Sequence, residues 1–220
     1  MNPDILNTVY FVIVFLLLFA IAEFLYHVMD IQAELTRKVV HFGTGLLSLM
    51  FPIILDSHWY VLFLCSSFAG LLILSMRFKL LKSINAIERE SVGAVAYPVS
   101  VYVCYLAFAN FDRQYIYFYL PILMLAICDP LAALAGKKWP WKPYKVGAGT
   151  KTWVGSSIFF VSAMILSLAI SRFSTFELGI FGVLLVSSVA TIAEAVSRRG
   201  FDNLMIPMAV LGMLVVIDYV

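Results

Sequence analysis

Long apolar runs follow one another along the chain, and short polar segments separate them. Each run is long enough to cross a bilayer core of ~30 Å as an α-helix. The runs are continuously apolar rather than alternating, which favours helices over the strands of a membrane barrel. The pattern predicts an all-α polytopic bundle of about eight transmembrane helices, in a single integral membrane domain over residues 1–220. The predicted helices are Ile5–Tyr26, Val39–Leu55, Tyr60–Met76, Val92–Phe111, Tyr115–Gly136, Trp153–Ile170, Leu178–Val196 and Leu204–Val220.

Composition and the placement of charge support this architecture and orient it. With 63% hydrophobic and 13% charged residues, and a mean hydropathy of +0.98, the chain is not an ordinary soluble domain. Of the 15 lysines and arginines, all except Arg113 and Arg172 lie in the segments after predicted helices one, three, five and seven. Because positively charged loops stay in the cytoplasm, we expect those segments inside the cell and both termini outside.

The fifth predicted helix contains an acidic residue and a proline, Asp129 and Pro130, about seven residues before its end. This spacing places the carboxylate about 10 Å below the membrane interface, where a charge is costly unless it is paired. Since proline removes a backbone donor, we expect a broken helix in which Asp129 caps a second segment. Ala132, Ala133 and Gly136 share a face with Asp129, so this face fits closely against a ligand or another helix. A buried structural aspartate is the alternative to a metal or nucleotide ligand.

The most basic loop follows directly, with five lysines from Lys137 to Lys151. Lys151 stands between two threonines, after a glycine-rich turn and just before the sixth predicted helix. Backbone amides at a helix start, an ammonium group and hydroxyls together favour phosphate binding, although the spacing is not that of a Walker motif. The aromatic residues of the loop, Tyr144 among them, are interpreted as interfacial anchors. The candidate phosphate-binding residues are Gly136, Lys137, Gly149, Thr150, Lys151, Thr152, Gly155 and Ser156.

Two further polar clusters lie in segments that the charge pattern places on the same side of the membrane. Arg37, Lys38 and His41 begin the second predicted helix, and they are either topogenic anchors or a surface that faces an anion. Glu90 lies beside an arginine and a second glutamate just before the fourth helix, which contains Tyr97. These acids could form a solvated helix end, fix a lid or hydrogen-bond a substrate hydroxyl, and the spacing leaves the choice open.

A third cluster lies between the seventh and eighth predicted helices. Glu194 and Arg198 are four residues apart, and Asp202 and Asn203 precede the last helix. One interpretation is an ion pair followed by helix caps. The other is a set of ligands, because this is again the side of the membrane that carries the phosphate-binding loop.

Five segments, in this order, resemble the kinases of long-chain isoprenoid alcohols, the phytol, farnesol and dolichol kinase family. More distantly, they resemble phosphatidate cytidylyltransferases. The segments are RKVVH (37–41), ERESVGAVAYP (88–98), DPLAALAG (129–136), KTWVGS (151–156) and EAVSRRGFDN (194–203). The resemblance implies phosphoryl transfer from CTP or another nucleotide, with Mg²⁺, to a lipid alcohol at the cytoplasmic face.

The resemblance also assigns roles to the matching residues. Asp129 would bind the metal, Glu194 and Asp202 would be further metal or nucleotide ligands, and Lys151 with Thr152 would bind the triphosphate. Asp129, Lys151 and Asp202 are also predicted to be catalytic. His41 is the base that chemistry favours, with Glu90 or an aspartate as alternatives. The other residues assigned to the nucleotide are Arg37, Lys38, Arg198 and Asn203, while Glu90 and Tyr97 are assigned to the substrate.

One departure from the family pattern bears on the reaction. Cytidylyltransferases and dolichol kinases usually have a glutamate where this chain has Val154, whereas phytol kinases tend to have a small uncharged residue there. This favours a phytol-type kinase over CDP-lipid synthesis from phosphatidate. An ion-coupled transporter is a further alternative, although the chain has no internal repeat. The expected partners are the nucleotide, the lipid alcohol and the bilayer rather than nucleic acid, and a homodimer is compatible with the sequence.

Overall fold

The structure, a computed structural model, describes residues 3–78, 80–85, 92–112, 114–147 and 149–219. These residues divide into two units, Met1–Glu90 and Ser91–Val220. The helices of the first unit are α1 (Pro3–His27), α2 (Ala33–Ser48), α3 (Phe51–Ile54), α4 (His58–Arg77) and α5 (Lys82–Asn85). The second unit contains α6 (Gly93–Asn110), α7 (Ile116–Leu123), a π-helical turn (Met124–Cys128), α8 (Asp129–Lys138), β1 (Pro143–Val146), β2 (Gly149–Thr152), α9 (Trp153–Phe173), α10 (Ile180–Val196) and α11 (Asp202–Asp218).

The prediction of a polytopic membrane helix bundle is confirmed, since every predicted apolar run coincides with a helix or with consecutive helices. Among the described residues, four helices are long and apolar enough to cross a membrane: α1, α4, α9 and the continuous helix Ile116–Lys138. α6 and α10 are apolar but shorter. α2 and α11, with 16 and 17 residues, lie near the lower limit of a spanning helix.

The first unit is organised by an aromatic face of α1. Phe11, Phe15 and Phe19 recur every four residues and are buried, because this spacing keeps them on one side of the helix. Phe11 meets Phe51 of α3 edge-on, with ring centroids 4.9 Å apart. On α2, a Cβ at Gly43 would lie 2.9 Å from the Leu18 side chain, so α1 and α2 approach closely at this glycine.

A polar contact fastens the end of α1 to α5. The Glu23 carboxylate lies 3.1 Å from His27 Nε2, one helical turn away, and accepts the backbone N–H of Ser83 at 2.9 Å. From α2, the Thr36 hydroxyl donates to the Ser83 carbonyl at 2.6 Å. These hydrogen bonds assign Glu23 and His27 to packing within the first unit.

The helix through Asp129 is continuous, so the predicted break and the predicted cap are wrong. α7 passes through the π-helical turn into α8, and Cys128 and Asp129 both have right-handed helical dihedral angles. No side chain caps the start of α8. The wider π turn accommodates the missing backbone donor of Pro130 without ending the helix.

Several helix termini of the second unit meet at one end. The Val92 N–H donates to the Arg199 carbonyl at 3.0 Å, and the Asn203 side chain donates to the Gly93 carbonyl at 3.1 Å. The start of α6 is thereby joined to the loop between α10 and α11. β2 reaches the same loop through Lys151, whose Nζ donates to Ser197 Oγ at 3.2 Å, so several polar residues of the unit interact at this end.

Candidate phosphate-binding site

The basic loop folds into an antiparallel hairpin of β1 and β2. Its register pairs Tyr144 with Lys151 and Lys145 with Thr150. Because successive strand residues point to opposite faces, Tyr144 and Lys151 share one face while Lys145 and Thr150 share the other. The first pair is partly buried and the second is exposed. The hairpin therefore directs the Lys151 side chain toward the helices of its own unit.

Lys151 forms an ion pair with Glu194, which lies in the last turn of α10. Its Nζ is 2.5 Å from Glu194 Oε1, and it also donates to the Glu194 carbonyl and, at 3.2 Å, to Ser197 Oγ. The Ser156 hydroxyl, in the first turn of α9, donates to Glu194 Oε2 at 3.2 Å. The Lys151 and Glu194 side chains are only 19% and 8% exposed, so the carboxylate depends on these partners for its stability.

The start of α9 is fixed by its own cap and by close contact with α8. Thr152 is the N-cap, and its Oγ1 accepts the N–H of Gly155 at 3.0 Å. A Cβ at Gly136 would lie 2.6 Å from Thr152 Oγ1, and a Cβ at Gly155 would lie 3.0 Å from the Ala132 carbonyl oxygen. The small face predicted on α8 thus packs against a helix at Ala132 and Gly136. The partial positive charge of the α9 N-terminus lies next to Lys151 in the chain.

Residues from the loop between α10 and α11 complete this end of the unit. A Cβ at Gly147, which has a φ of +60°, would lie 2.9 Å from Arg198 Cδ, so Arg198 lies against the hairpin turn. Asp202 is the first residue of α11, and its carboxylate accepts the N–H of Asn203 at 3.0 Å. The predicted cap at Asp202 and Asn203 is therefore wrong, because the cap position is Phe201 and no side chain caps the start of α11.

The three predicted metal ligands occupy different helix ends. Asp129 begins α8, Glu194 lies near the end of α10, and Asp202 begins α11. Their carboxylate oxygens are the ligands that Mg²⁺ prefers in proteins. In the part of the chain that the structure describes, however, no three His, Cys, Asp or Glu side chains lie close enough to hold one metal ion. The metal role of each stays a prediction.

Five of the other predicted residues lie on α2, α6 and α8. Arg37, Lys38 and His41 are partly buried on α2, in the first unit. Tyr97 is buried on α6, one turn after the glycine that accepts from Asn203. Glu90 falls outside the described residues. Lys137 is exposed in the last turn of α8.

The Lys151 cluster consists of Lys151, Glu194, Ser156, Ser197 and Tyr144. Two of these residues, Tyr144 and Ser197, were not predicted from the sequence. The Tyr144 hydroxyl lies 2.7 Å from Ser156 Oγ, although Tyr144 had been interpreted as an interfacial anchor. Ser197, just after α10, contacts Lys151 and donates to the Glu194 carbonyl at 2.8 Å. The 4-residue strands are too short to show an alternating pattern in the sequence, so only the hairpin register places Tyr144 opposite Lys151.

The fold and the cluster together define a class of protein. The apolar helices make the chain an integral membrane protein. At one end of the second unit, an ammonium group, hydroxyls and a helix N-terminus lie together, which are the groups that proteins use to bind phosphate.

Comparison with known proteins identifies the family. The chain is 31% identical over 192 residues to a phytol kinase from Synechocystis sp., and the alignment covers 85% of this chain and 81% of that protein. At this identity and coverage, the chain belongs to the phytol kinase family. No protein-family profile matches the sequence, and no solved structure matches it.

Proposed function

We propose that the protein transfers the terminal phosphoryl group of CTP, or of another nucleoside triphosphate, to the hydroxyl of a phytol-type lipid alcohol. The observation that carries this proposal is the similarity to a phytol kinase along 85% of the chain. The Lys151 cluster supports it, because its residue types suit a triphosphate. The charge pattern of the loops favours a reaction at the cytoplasmic face, with the lipid entering sideways from the bilayer.

The role of Lys151 follows from the chemistry of the reaction. Phosphoryl transfer depends on positioning and on neutralising charge more than on covalent chemistry. An ammonium group has three donors, and those of Lys151 meet two oxygens of Glu194 and the hydroxyl of Ser197. The contact with Ser197 is neutral and the longest, so a phosphate oxygen would replace Ser197 most easily. Lys151 would then hold the nucleotide while Glu194 keeps the ammonium in place.

Magnesium would neutralise phosphate charge when it is bound together with the nucleotide. It usually takes one or two protein carboxylates together with phosphate oxygens and water, rather than a cage made of protein alone. Asp129 and Asp202 have the donor chemistry for this role, and Glu194 is the third predicted ligand. These carboxylates form no three-membered cluster among the described residues, so the metal would take most of its ligands from the nucleotide and from water.

The alcohol must lose a proton as its oxygen attacks the phosphorus. His41 is the candidate base, because imidazole changes its charge near neutral pH, and Asp202 and Glu90 are the alternatives. Arg37, Lys38 and Arg198 are proposed to add positive charge around the nucleotide.

The proposal is tested by following where the phosphoryl group goes. Purified protein in lipid vesicles is incubated with Mg²⁺, CTP labelled at the γ-phosphate and, separately, phytol, farnesol, a polyprenol, diacylglycerol or phosphatidate. We expect label in the phosphate ester of an isoprenoid alcohol, with CDP as the second product. Label in no lipid contradicts the proposal. Release of pyrophosphate with formation of a CDP-lipid from phosphatidate would indicate a cytidylyltransferase instead.

A further inference from the structure

The hairpin brings one aromatic hydroxyl to the same face as the proposed phosphate-binding lysine. Tyr144 pairs directly with Lys151 across the two strands. Both side chains are partly buried, whereas the neighbouring pair on the opposite face is exposed. A tyrosine that served only as an interfacial anchor would have its hydroxyl among lipid headgroups, but this hydroxyl lies 2.7 Å from Ser156 Oγ in the first turn of α9.

The hydrogen bonds around this tyrosine form an ordered chain. The Ser156 hydroxyl has a single proton, and it donates that proton to Glu194 Oε2 at 3.2 Å. Tyr144 must therefore be the donor in its contact with Ser156. The other oxygen of the same carboxylate, Oε1, lies 2.5 Å from Lys151 Nζ. Tyr144 is thus connected to the ammonium group through two intervening side chains.

This chain limits the movement of the Glu194 carboxylate. The Glu194 side chain is 8% exposed, so water offers few alternative partners for its oxygens. In a setting of low dielectric constant, successive hydrogen bonds polarise and strengthen one another. Without the Tyr144 hydroxyl, Ser156 can turn away from the carboxylate, and the carboxylate can rotate about its last bond. The Lys151 ammonium would then lose its fixed position, because its long side chain has little stiffness of its own.

We infer that Tyr144 is a positioning residue that sets the location of the Lys151 ammonium through Ser156 and Glu194. The inference rests on the proposed function, in which Lys151 holds the triphosphate. It predicts a change in kcat/KM for the nucleotide but none in KM for the lipid alcohol, because the Tyr144 hydroxyl contacts Ser156 within the cluster that is proposed to hold the nucleotide.

The test is the steady-state kinetics of the Tyr144→Phe protein in vesicles. We expect kcat/KM for the nucleotide to fall about 5- to 10-fold, the effect of losing one hydrogen bond, with KM for the alcohol unchanged. Tyr219→Phe is the matched control, because Tyr219 is 79% exposed and follows α11. Unchanged nucleotide kinetics in Tyr144→Phe, or an equal loss in Tyr219→Phe, would overturn the inference.

A double-mutant cycle separates positioning from general damage to the fold. Ser156→Ala removes the next link, so Tyr144→Phe should have little further effect on kcat/KM for the nucleotide when combined with it. Two losses that multiply would overturn the inference. Ser156→Ala also serves as the principal variant if Tyr144→Phe lowers the apparent Tm so far that the protein is not folded.

Failure of the proposed function can be distinguished from failure of the positioning inference. If the wild-type protein phosphorylates no alcohol, the kinase proposal fails, and Tyr144 is then tested by the binding of inorganic tripolyphosphate. Weaker binding by Tyr144→Phe than by wild type supports the positioning role. Equal binding, or no binding by the wild type, overturns it.

Discussion

Adding a methyl group at Gly136 should damage the contact between α8 and α9. The Cβ of an alanine there would lie 2.6 Å from Thr152 Oγ1, a separation that side-chain atoms do not tolerate. Thr152 can rotate away only by giving up the N–H of Gly155, the hydrogen bond that caps α9. Otherwise α8 and α9 must move apart, which disrupts the close contact that they make at Gly155.

The size of the effect follows from these contacts. Overpacking a tight contact destabilises by about 1–3 kcal/mol. If Thr152 rotates instead, loss of the threonine cap costs about 1–2 kcal/mol. Replacing glycine by alanine within a helix returns about 0.5–1 kcal/mol, so we expect a net loss of about 0.5–2 kcal/mol and a fall in the apparent Tm of about 2–6 °C.

The assay is thermal unfolding of the purified protein in one detergent at a fixed heating rate. Gly212→Ala is the control, because a Cβ at Gly212 on α11 has nothing within 4 Å and should leave the Tm unchanged or raise it. Adding Thr152→Ala to Gly136→Ala removes the clashing oxygen, so the combined loss should be smaller than the sum of the two single losses. A Gly136→Ala protein as stable as Gly212→Ala would refute the reasoning.

Two further predictions concern charge and orientation. Lys151→Met should lower turnover at least about 100-fold, and it should lower the Tm because Glu194 loses its counter-ion. Adding Glu194→Gln should restore the Tm but not the activity, and restored activity would contradict the role of Lys151. With all of the 3 native cysteines buried, a membrane-impermeant thiol reagent should label Thr175→Cys in intact cells and Lys138→Cys only after permeabilisation. The reverse labelling pattern would show that the predicted orientation is wrong.

The helices could be predicted from the sequence because burial in lipid requires long apolar runs, and such runs are visible without any partner. The π-helical turn before Asp129 could not be predicted, since its residues are apolar like those of α7 before it. The strands of the hairpin have only 4 residues each, too few for a periodic signal in a polar loop. A proline in an apolar run indicated a break, but it does not reveal how the preceding turn adjusts.

The residue types of the candidate site were predictable, whereas the pairing among them was not. Local spacing connected Glu194 with Arg198, four residues away. In the structure α10 ends at Val196, and Glu194 instead pairs with Lys151 from the hairpin. A contact across 43 residues depends on how α9 and α10 pack, which no local pattern encodes. Tyr144 was overlooked for the same reason, because its role appears only once the hairpin register is known.

The central proposal is that this protein is a lipid-alcohol kinase in which Asp129 binds the metal. Its most direct test is the initial rate of label transfer from γ-labelled CTP to phytol, compared between wild type and Asp129→Asn in vesicles. The amide keeps the size of the side chain but removes its charge, so the variant should insert and fold normally. We expect a robust rate for the wild type and none above background for Asp129→Asn. A fully active Asp129→Asn protein, or a wild type that labels no alcohol, would contradict the account.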